Sequence, residues 1–343
     1  MNIKVLKLMC IRDDRKLTVS YYKPGRLEFD FDGVIDAIDD FENLEITPLI
    51  LPFIVRSAEE VEQISIDFKN FDIIFNAICE PDICKNALYS AVHFLKDNNE
   101  VPVINHPSLV LRMTRDNLYN TIKDVPGLYV PKVIRIRPDS LNYVSEVADK
   151  EEFYPFIFRE VGKHTQHEAV LVESPKDIRK IETYPFRGQE YYMVEYVDYR
   201  SLDGLFRKYR VYVIDGKLYP KSLVISDYWN IHGKDRKRLM EKDEKYKLEE
   251  ENWLKNFQEK DYAPINEIYK KIALDLFIVD FGILRDGRIV IFEASACFSY
   301  TIRTATGSIP EHIYRRKYTQ AVQQAIKDMI HRRTNKFSTR RNP

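Results

Sequence analysis

The sequence predicts a mixed chain, an α/β domain followed by α+β units, and three observations predict it. Strand and helix signals alternate over residues 1–105, which suits a small three-layer α/β domain. Beyond residue 130, runs of Ile, Val, Phe and Tyr come in pairs around Asp-Gly turns, the pattern of antiparallel hairpins. The two clearest hairpins carry opposite charge, with Asp280 and Glu293 on one and Arg210 and Lys221 on the other.

Size and composition bound the answer. At 343 residues the chain has room for two or three domains, and 44% hydrophobic with 13% aromatic residues supply a large core. Lys+Arg and Asp+Glu both number 53, so no net field draws nucleic acid or a membrane surface. MNIKVLKLMC leads straight into a strand-like run with no signal peptide, and no apolar segment is long enough to span a bilayer; the expected compartment is a reducing cytoplasm. The four cysteines, Cys10, Cys79, Cys84 and Cys297, lack zinc-like spacing and are too few for a disulfide scaffold. Cys79 and Cys84, on either side of Pro81, are expected as buried thiols.

In chain order, Ile3–Cys10 is the first strand, residues 71–78 and 101–105 are later ones, and residues 87–95 have helical spacing. No glycine-rich dinucleotide fingerprint appears. Asn105-His106-Pro107 marks a turn, with Ser108 capping a helix that runs through 112–122. Val130-Pro131 opens a second unit: a strand at 153–160, a polar loop at 161–169 and a strand at 170–173. That loop holds Gly162, Lys163, His164, Thr165 and His167, whose N–H groups and cationic tips suit phosphates; an exposed polar hairpin fits equally well. Residues 191–196 form the next strand. Residues 227–261 alternate acids and bases, as in a solvated helix or insertion. An amphipathic helix at 265–276 follows, then the acid hairpin, a final helix at 311–330 and a basic, disordered tail at 331–343. Domain limits are expected at 1–107, 108–200 and 201–330.

The acid hairpin spans 276–299 and turns at Asp286-Gly287. A two-residue turn sets Asp280 directly opposite Glu293; a symmetric four-residue loop keeps that pairing, whereas a three-residue loop would break it. Like charges with Cβ atoms roughly 5 Å apart repel, and a Mg²⁺ ion between them resolves the conflict. One protonated carboxyl, or a separate Lys or Arg for each acid, would also resolve it. The basic hairpin, 206–225, turns at Asp215-Gly216, and the same arithmetic sets Arg210 opposite Lys221 with Lys208 on that face. An anion resolves this conflict, unless the long stems splay into water. Pro220 suggests an edge strand. Together the hairpins suit a magnesium–polyphosphate complex.

This order of parts resembles the ATP-grasp superfamily, in its ribosomal-protein-glutamate-ligase-like branch, over nearly the whole chain. The resemblance is carried most specifically by VDFGILRDGRIVIFEASA and by VEYVDYRSLDGLFRKYRVYVIDGKLYP, with Asn105–Pro107 and Thr114–Asp116 as further points of likeness. It implies an N-terminal Rossmann-like domain before the ATP-grasp subdomains. Asp280 and Glu293 match the family's magnesium acids, and Ser295 stands where an Asn is usual, a shorter oxygen ligand. Arg159 and Arg115 match basic positions near the ATP phosphates, which His164 in the lid and Lys208 and Lys221 on the hairpin would also meet. Glu195, Tyr196 and Val197 match the hinge to adenine and ribose. Arg210 matches a residue that steadies the transferred phosphoryl group, and Arg303 is a candidate grip for the acceptor carboxylate. The implied activity is an ATP- and Mg²⁺-dependent ligation of a small-molecule or peptide carboxylate to an amine, or a thiol, through an acyl phosphate. A kinase acting on a hydroxyl of a polyanionic substrate and a degenerate nucleotide-binding protein are the alternatives, and a homodimer stays open. Asp280-Phe281-Gly282 also spells a protein-kinase tripeptide, but neither a VAIK-type lysine behind a Gly-rich loop nor an HRD loop precedes it.

Overall fold

A computed structural model describes residues 2–16, 18–23, 26–51, 66–98, 100–163, 169–232, 235–298 and 314–341. Strand β1 (Ile3–Cys10) is apolar almost throughout because it is central in a parallel sheet covered on both faces. A hairpin, β2 (Thr18–Lys23) and β3 (Arg26–Asp30), leads to β4 (Leu44–Leu51), which pairs with β1 in parallel. Strand β5 (Ile73–Asn76) flanks β1 on its other side, helix α1 (Lys85–Phe94) follows, and β6 (Val103–Ile104) completes the order β4-β1-β5-β6. Strand β4, which the sequence analysis does not assign, contains Pro48 and lies at the sheet edge, where a residue without an N–H is tolerated.

The helix expected through 112–122 is two. Helix α2 (Pro107–Val110) is capped by His106, whose ring accepts from the Ser108 N–H at 3.3 Å, so Ser108 is not the cap. Helix α3 (Arg115–Ile122) starts after Thr114 in extended backbone. After β7 (Leu128–Tyr129) come β8 (Val133–Ile136), α4 (Leu141–Lys150), β9 (Phe156–Glu160), β10 (Ala169–Val172) and β11 (Tyr191–Glu195). The last four strands form an antiparallel sheet, β10-β9-β11-β8, whose core stacks Phe158 on Tyr191 at 4.7 Å against Val144 and Ala148 of α4.

The third sheet is β13-β12-β14-β15-β7, built from β12 (Phe206–Ile214) and β13 (Lys217–Ser226), then, beyond α5 (Glu244–Asn256) and α6 (Ala263–Ile272), β14 (Leu276–Ile283) and β15 (Ile289–Ser295). Its two hairpins correct the register arithmetic in different ways. The β14–β15 loop has three residues, Arg285 to Gly287, closed by Leu284 N–H donating to Arg288 O at 2.9 Å. Ile283 therefore pairs with Ile289 and Phe281 with Ile291, which alone would misalign the acids. A bulge that inserts Phe292 restores Asp280 opposite Glu293. On β13 a bulge leaves Lys221 as the extra residue, so Arg210 faces Ser222 and not Lys221.

Two further expectations fail and one holds only in part. The charged stretch 227–261 is not simply a solvated face, because Glu250 is fully buried against the Arg236 guanidinium and accepts the Leu223 N–H at 3.2 Å. A carboxylate can leave water when its oxygens are all satisfied. Residues 331–341 are no disordered tail: α7 (Arg316–Arg341) continues through them, and Arg333 reaches Asp215 at 3.0 Å and Asp275 at 2.6 Å. Cys79 is not a free thiol, since it forms a disulfide with Cys297 across a Cα separation of 5.0 Å, while Cys10 and Cys84 are buried thiols. The fold brings the end of β15 against the loop after β5, and 218 residues of separation concealed that from the spacing. Among the described residues, no helix is long and apolar enough to cross a membrane.

Candidate functional site

A cavity of about 780 Å³ is lined by loops of the parallel sheet, by the β10-β9-β11-β8 sheet and by one face of the five-stranded sheet. Its floor is a row of charged side chains laid across three neighbouring strands: Arg210 on β12 pairs with Asp280 on β14, which pairs with Glu293 on β15. Side chains on one pleat point to one face, so the edge-to-edge pairing of the two hairpins presents all three to the cavity.

Asp280 is 2% exposed yet ionised. Burial opposes the charge, but Arg210, Lys208 and Lys221 outweigh it and hold the carboxyl down at about 2. Arg210 grips both carboxylate oxygens, and Lys208 Nζ lies 3.7 Å away while donating to Ile231 O at 2.8 Å. Burial lowers the Lys208 pKa. Glu293 has its own arginine: Arg115 Nη2 donates to Glu293 Oε1 at 3.0 Å, and Nη1 donates to the carbonyl of the bulged Phe292 at 2.9 Å. Each acid thus has a guanidinium, the arrangement weighed as an alternative to a metal, and both acids still line the cavity.

Arg159, on β9, also lines the cavity and donates to Lys163 O at the start of the polar loop. Burial first, and then neighbouring Arg115, push its guanidinium down to about 10. Glu195, Tyr196 and Val197 form part of the wall; the Glu195 carboxylate is held by the Tyr129 hydroxyl and by the Lys132 N–H at 2.9 Å. Burial and then Glu195 push the Tyr129 hydroxyl up to about 12. Lys221 is absent from the lining, its ammonium lying 5.0 Å from the Tyr212 ring centre. His164, Arg303 and residues 164–168 of the loop lie outside the described residues.

The sequence reading missed a second set of lining residues. Arg12, Asp32 and Glu80 come from the parallel sheet's loops, and Trp229, Asn230 and His232 from the segment after β13. Arg12 and Asp32 pair at 2.9 Å over 20 residues of chain, with no motif to announce them. Trp229 carried the one available signal, a rare aromatic at the end of a strand.

The donor set fits one magnesium ion. Among the described residues no group of three or more His, Cys, Asp or Glu converges. Mg²⁺ does not ask for one, since it binds through one or two carboxylates and fills its remaining positions with water and phosphate oxygens. Asp280 and Glu293 would supply those carboxylates. Ser295, on the same face, offers a hydroxyl whose oxygen accepts the Cys297 N–H at 3.0 Å. Around them Arg115, Arg159, Lys208 and Arg210 present the positive charge that a polyphosphate requires.

No family model matches the sequence, and no curated protein matches it. Solved structures do match. A RimK domain ATP-grasp protein from Sphaerobacter thermophilus aligns over 95% of this chain and 99% of its own, at 12% identity and a TM-score of 0.50. The VanG D-Ala:D-Ser ligase of Enterococcus faecalis aligns over 96% and 100%, at 13% identity and 0.52. A carboxyaminoimidazole ribonucleotide synthase from Aspergillus clavatus, solved with ATP, aligns over 88% and 73%, at 12% identity and 0.50. A parallel N-terminal α/β sheet followed by two antiparallel-rich sheets, with near-complete coverage of such structures, means that this chain has the ATP-grasp fold.

Proposed function

We propose that this chain is an ATP- and Mg²⁺-dependent ligase that joins a carboxylate to an amine through an acyl phosphate, in the manner of the ribosomal-protein-glutamate-ligase-like branch. One observation carries the reading: two facing acids and four cations, Arg115, Arg159, Lys208 and Arg210, converge in a single cavity. Trp229, Tyr196 and Val197 give one end of that cavity an apolar wall for a base, and Glu195 gives it an acceptor.

Asp280 and Glu293 would hold the magnesium ion, with Ser295 beside them. When bound, the metal neutralises charge on the phosphate oxygens. Arg210 opposes charge on the transferring phosphoryl group, from a position fixed by its pairing with Asp280. Arg159 and Lys208 supply further positive charge, desolvated and therefore strong. The substrate carboxylate attacks the γ-phosphorus in line, ADP leaves, and the amine then displaces phosphate from the acyl phosphate.

The test is a magnesium-dependent ADP-release screen over pooled carboxylates and amines, run beside Glu293→Gln. Turnover that needs both a carboxylate and an amine, and that falls at least a hundredfold in the variant, is the expected result. Undiminished turnover in Glu293→Gln would remove the metal assignment, and a stable phosphorylated product with no amide would replace the ligase with a kinase.

A further inference from the structure

One loop of the parallel sheet touches both of the other sheets that line the cavity. It runs from Cys79 to Ile83, between β5 and α1, and Cys79, Glu80 and Ile83 belong to the cavity wall. Cys79 is bonded to Cys297, just past the end of β15, and Cys297 also lines the cavity. Further along the loop, Asp82 accepts from Arg135 Nη1 of β8 at 2.9 Å and from the Tyr192 hydroxyl of β11 at 2.9 Å. Ile83 occupies the space that a Cβ on Gly162, at the start of the polar loop, would need. The loop is therefore held to the four-stranded sheet by an ion pair and packing, and to the five-stranded sheet by a covalent bond.

That bond sits beside the acids. The Cys297 N–H donates to Ser295 Oγ at 3.0 Å, and Ser295 shares a face of β15 with Glu293. At the other end, the Cys79 N–H donates to Gly33 O at 2.8 Å, and Gly33 is part of the same wall. Cys10 and Cys84 stay buried thiols, although Cys84 lies in the same turn of chain as Cys79. The bond thus joins the two cysteines that line the cavity, across 218 residues of chain. Cys79 is 3% exposed and Cys297 is half-buried, which makes Cys297 the sulfur that a small thiol in the cavity can reach.

We propose that Cys79 and Cys297 form a redox site of the cavity. Joined, they fix the loop against the acid hairpin and favour magnesium nucleotide; a dithiol opens them and weakens its binding. The coupling to nucleotide rests on the ligase reading, whereas reversible opening of the bond does not. In the opening step a thiolate of the dithiol attacks the Cys297 sulfur, the S–S bond breaks, and Cys79 leaves as a thiolate that takes up a proton. The second thiol then attacks the mixed disulfide, so Cys297 is released as a thiol and the reductant ends as a cyclic disulfide. Two electrons and two protons pass from reductant to protein, and a disulfide oxidant reverses the exchange. Opening frees two segments that a ligand spanning the cavity must then order again. Linkage makes the effect reciprocal: nucleotide favours the closed bond by the factor by which the closed bond favours nucleotide.

The full-length wild type, oxidised and after dithiothreitol, is compared with Cys297→Ser under both conditions, each checked for folding by its melting curve. Titration calorimetry gives the affinity for a non-hydrolysable ATP analogue with Mg²⁺, and amide hydrogen exchange follows residues 77–84 and 295–298. Reduction should weaken the analogue about tenfold, an ordinary size for coupling between sites. Cys297→Ser should bind as the reduced wild type does, whether or not dithiothreitol is present. Exchange in both segments should rise about fivefold or more on reduction and fall again when oxidised glutathione rejoins the bond. In glutathione buffers the analogue should shift the thiol–disulfide equilibrium toward the closed form by the factor that calorimetry gives. Equal affinity of the two wild-type states overturns the proposal, as do unchanged exchange and a reductant effect that persists in Cys297→Ser. Reduction that unfolds the chain, or that oxidised glutathione does not reverse, makes the bond a structural staple and overturns it too. If the analogue binds neither state while exchange still responds reversibly, the redox site stands and the nucleotide reading falls.

Discussion

Replacing Asp280 by Asn tests the electrostatics of the cavity floor. The amide copies the shape of the protonated acid, so the variant reports what ionisation contributes. The Asp280 carboxyl sits at about 2 against an ordinary 3.8, although burial alone would raise it. That gap corresponds to about 2.4 kcal/mol in favour of the charged group in the folded state. The folded value is the lower one, so this contribution is complete above the unfolded value of 3.8 and is lost as pH falls through about 2. About half of it remains at pH 3. Urea denaturation of wild type and Asp280→Asn at pH 7, 5, 4 and 3 measures it directly. The variant should be less stable by about 2–3 kcal/mol at pH 7 and at pH 5, with a narrowing difference at pH 4 and 3. A variant as stable as the wild type at pH 7, or a deficit that does not shrink by pH 3, would refute the account of Arg210 and Lys208 as the source of the shift. The same variant should lose magnesium-dependent ADP release.

Three more perturbations probe the scaffold. Glu250→Ala strands Arg236 without its carboxylate in the interior and should cost about 3–5 kcal/mol, read from a denaturant midpoint. Gly282→Ala places a methyl group 2.9 Å from both Phe292 and Tyr199 and should cost about 1–3 kcal/mol in the same assay, while an unchanged midpoint would show that the bulge adapts. Peptide mapping of unreduced protein should recover Cys79 joined to Cys297. Reductant should lower the melting temperature of the wild type and leave that of Cys297→Ser unmoved.

Gly282 also shows how a local signal misleads. Asp280-Phe281-Gly282 looks like a nucleotide-binding tripeptide of another fold, yet the glycine is needed here because the inserted Phe292 and Tyr199 press on the strand. The acid pairing teaches the converse. Asp280 does face Glu293, but the turn that the arithmetic assumed is not the turn that forms. A three-residue loop and a one-residue bulge compensate for one another. Local pattern reports side-chain alternation well because the pleat has period two, whereas loop length and bulge position are decided jointly by the packing of both strands.

By itself the sequence determined the strand–helix alternation, the opposite charges of the two hairpins and the order of parts that resembles ATP-grasp proteins, since all of these are written in residue type and short-range spacing. Only the tertiary structure decided that β12 lies against β14, and so that Arg210 neutralises Asp280 directly. It likewise left Lys221 out of the cavity lining, brought Arg12, Asp32 and Glu80 into it, and joined Cys79 to Cys297. The physical reason is common to these cases. Each depends on contacts between segments many residues apart, and those contacts are chosen by burial of the whole core, which no short stretch of chain encodes.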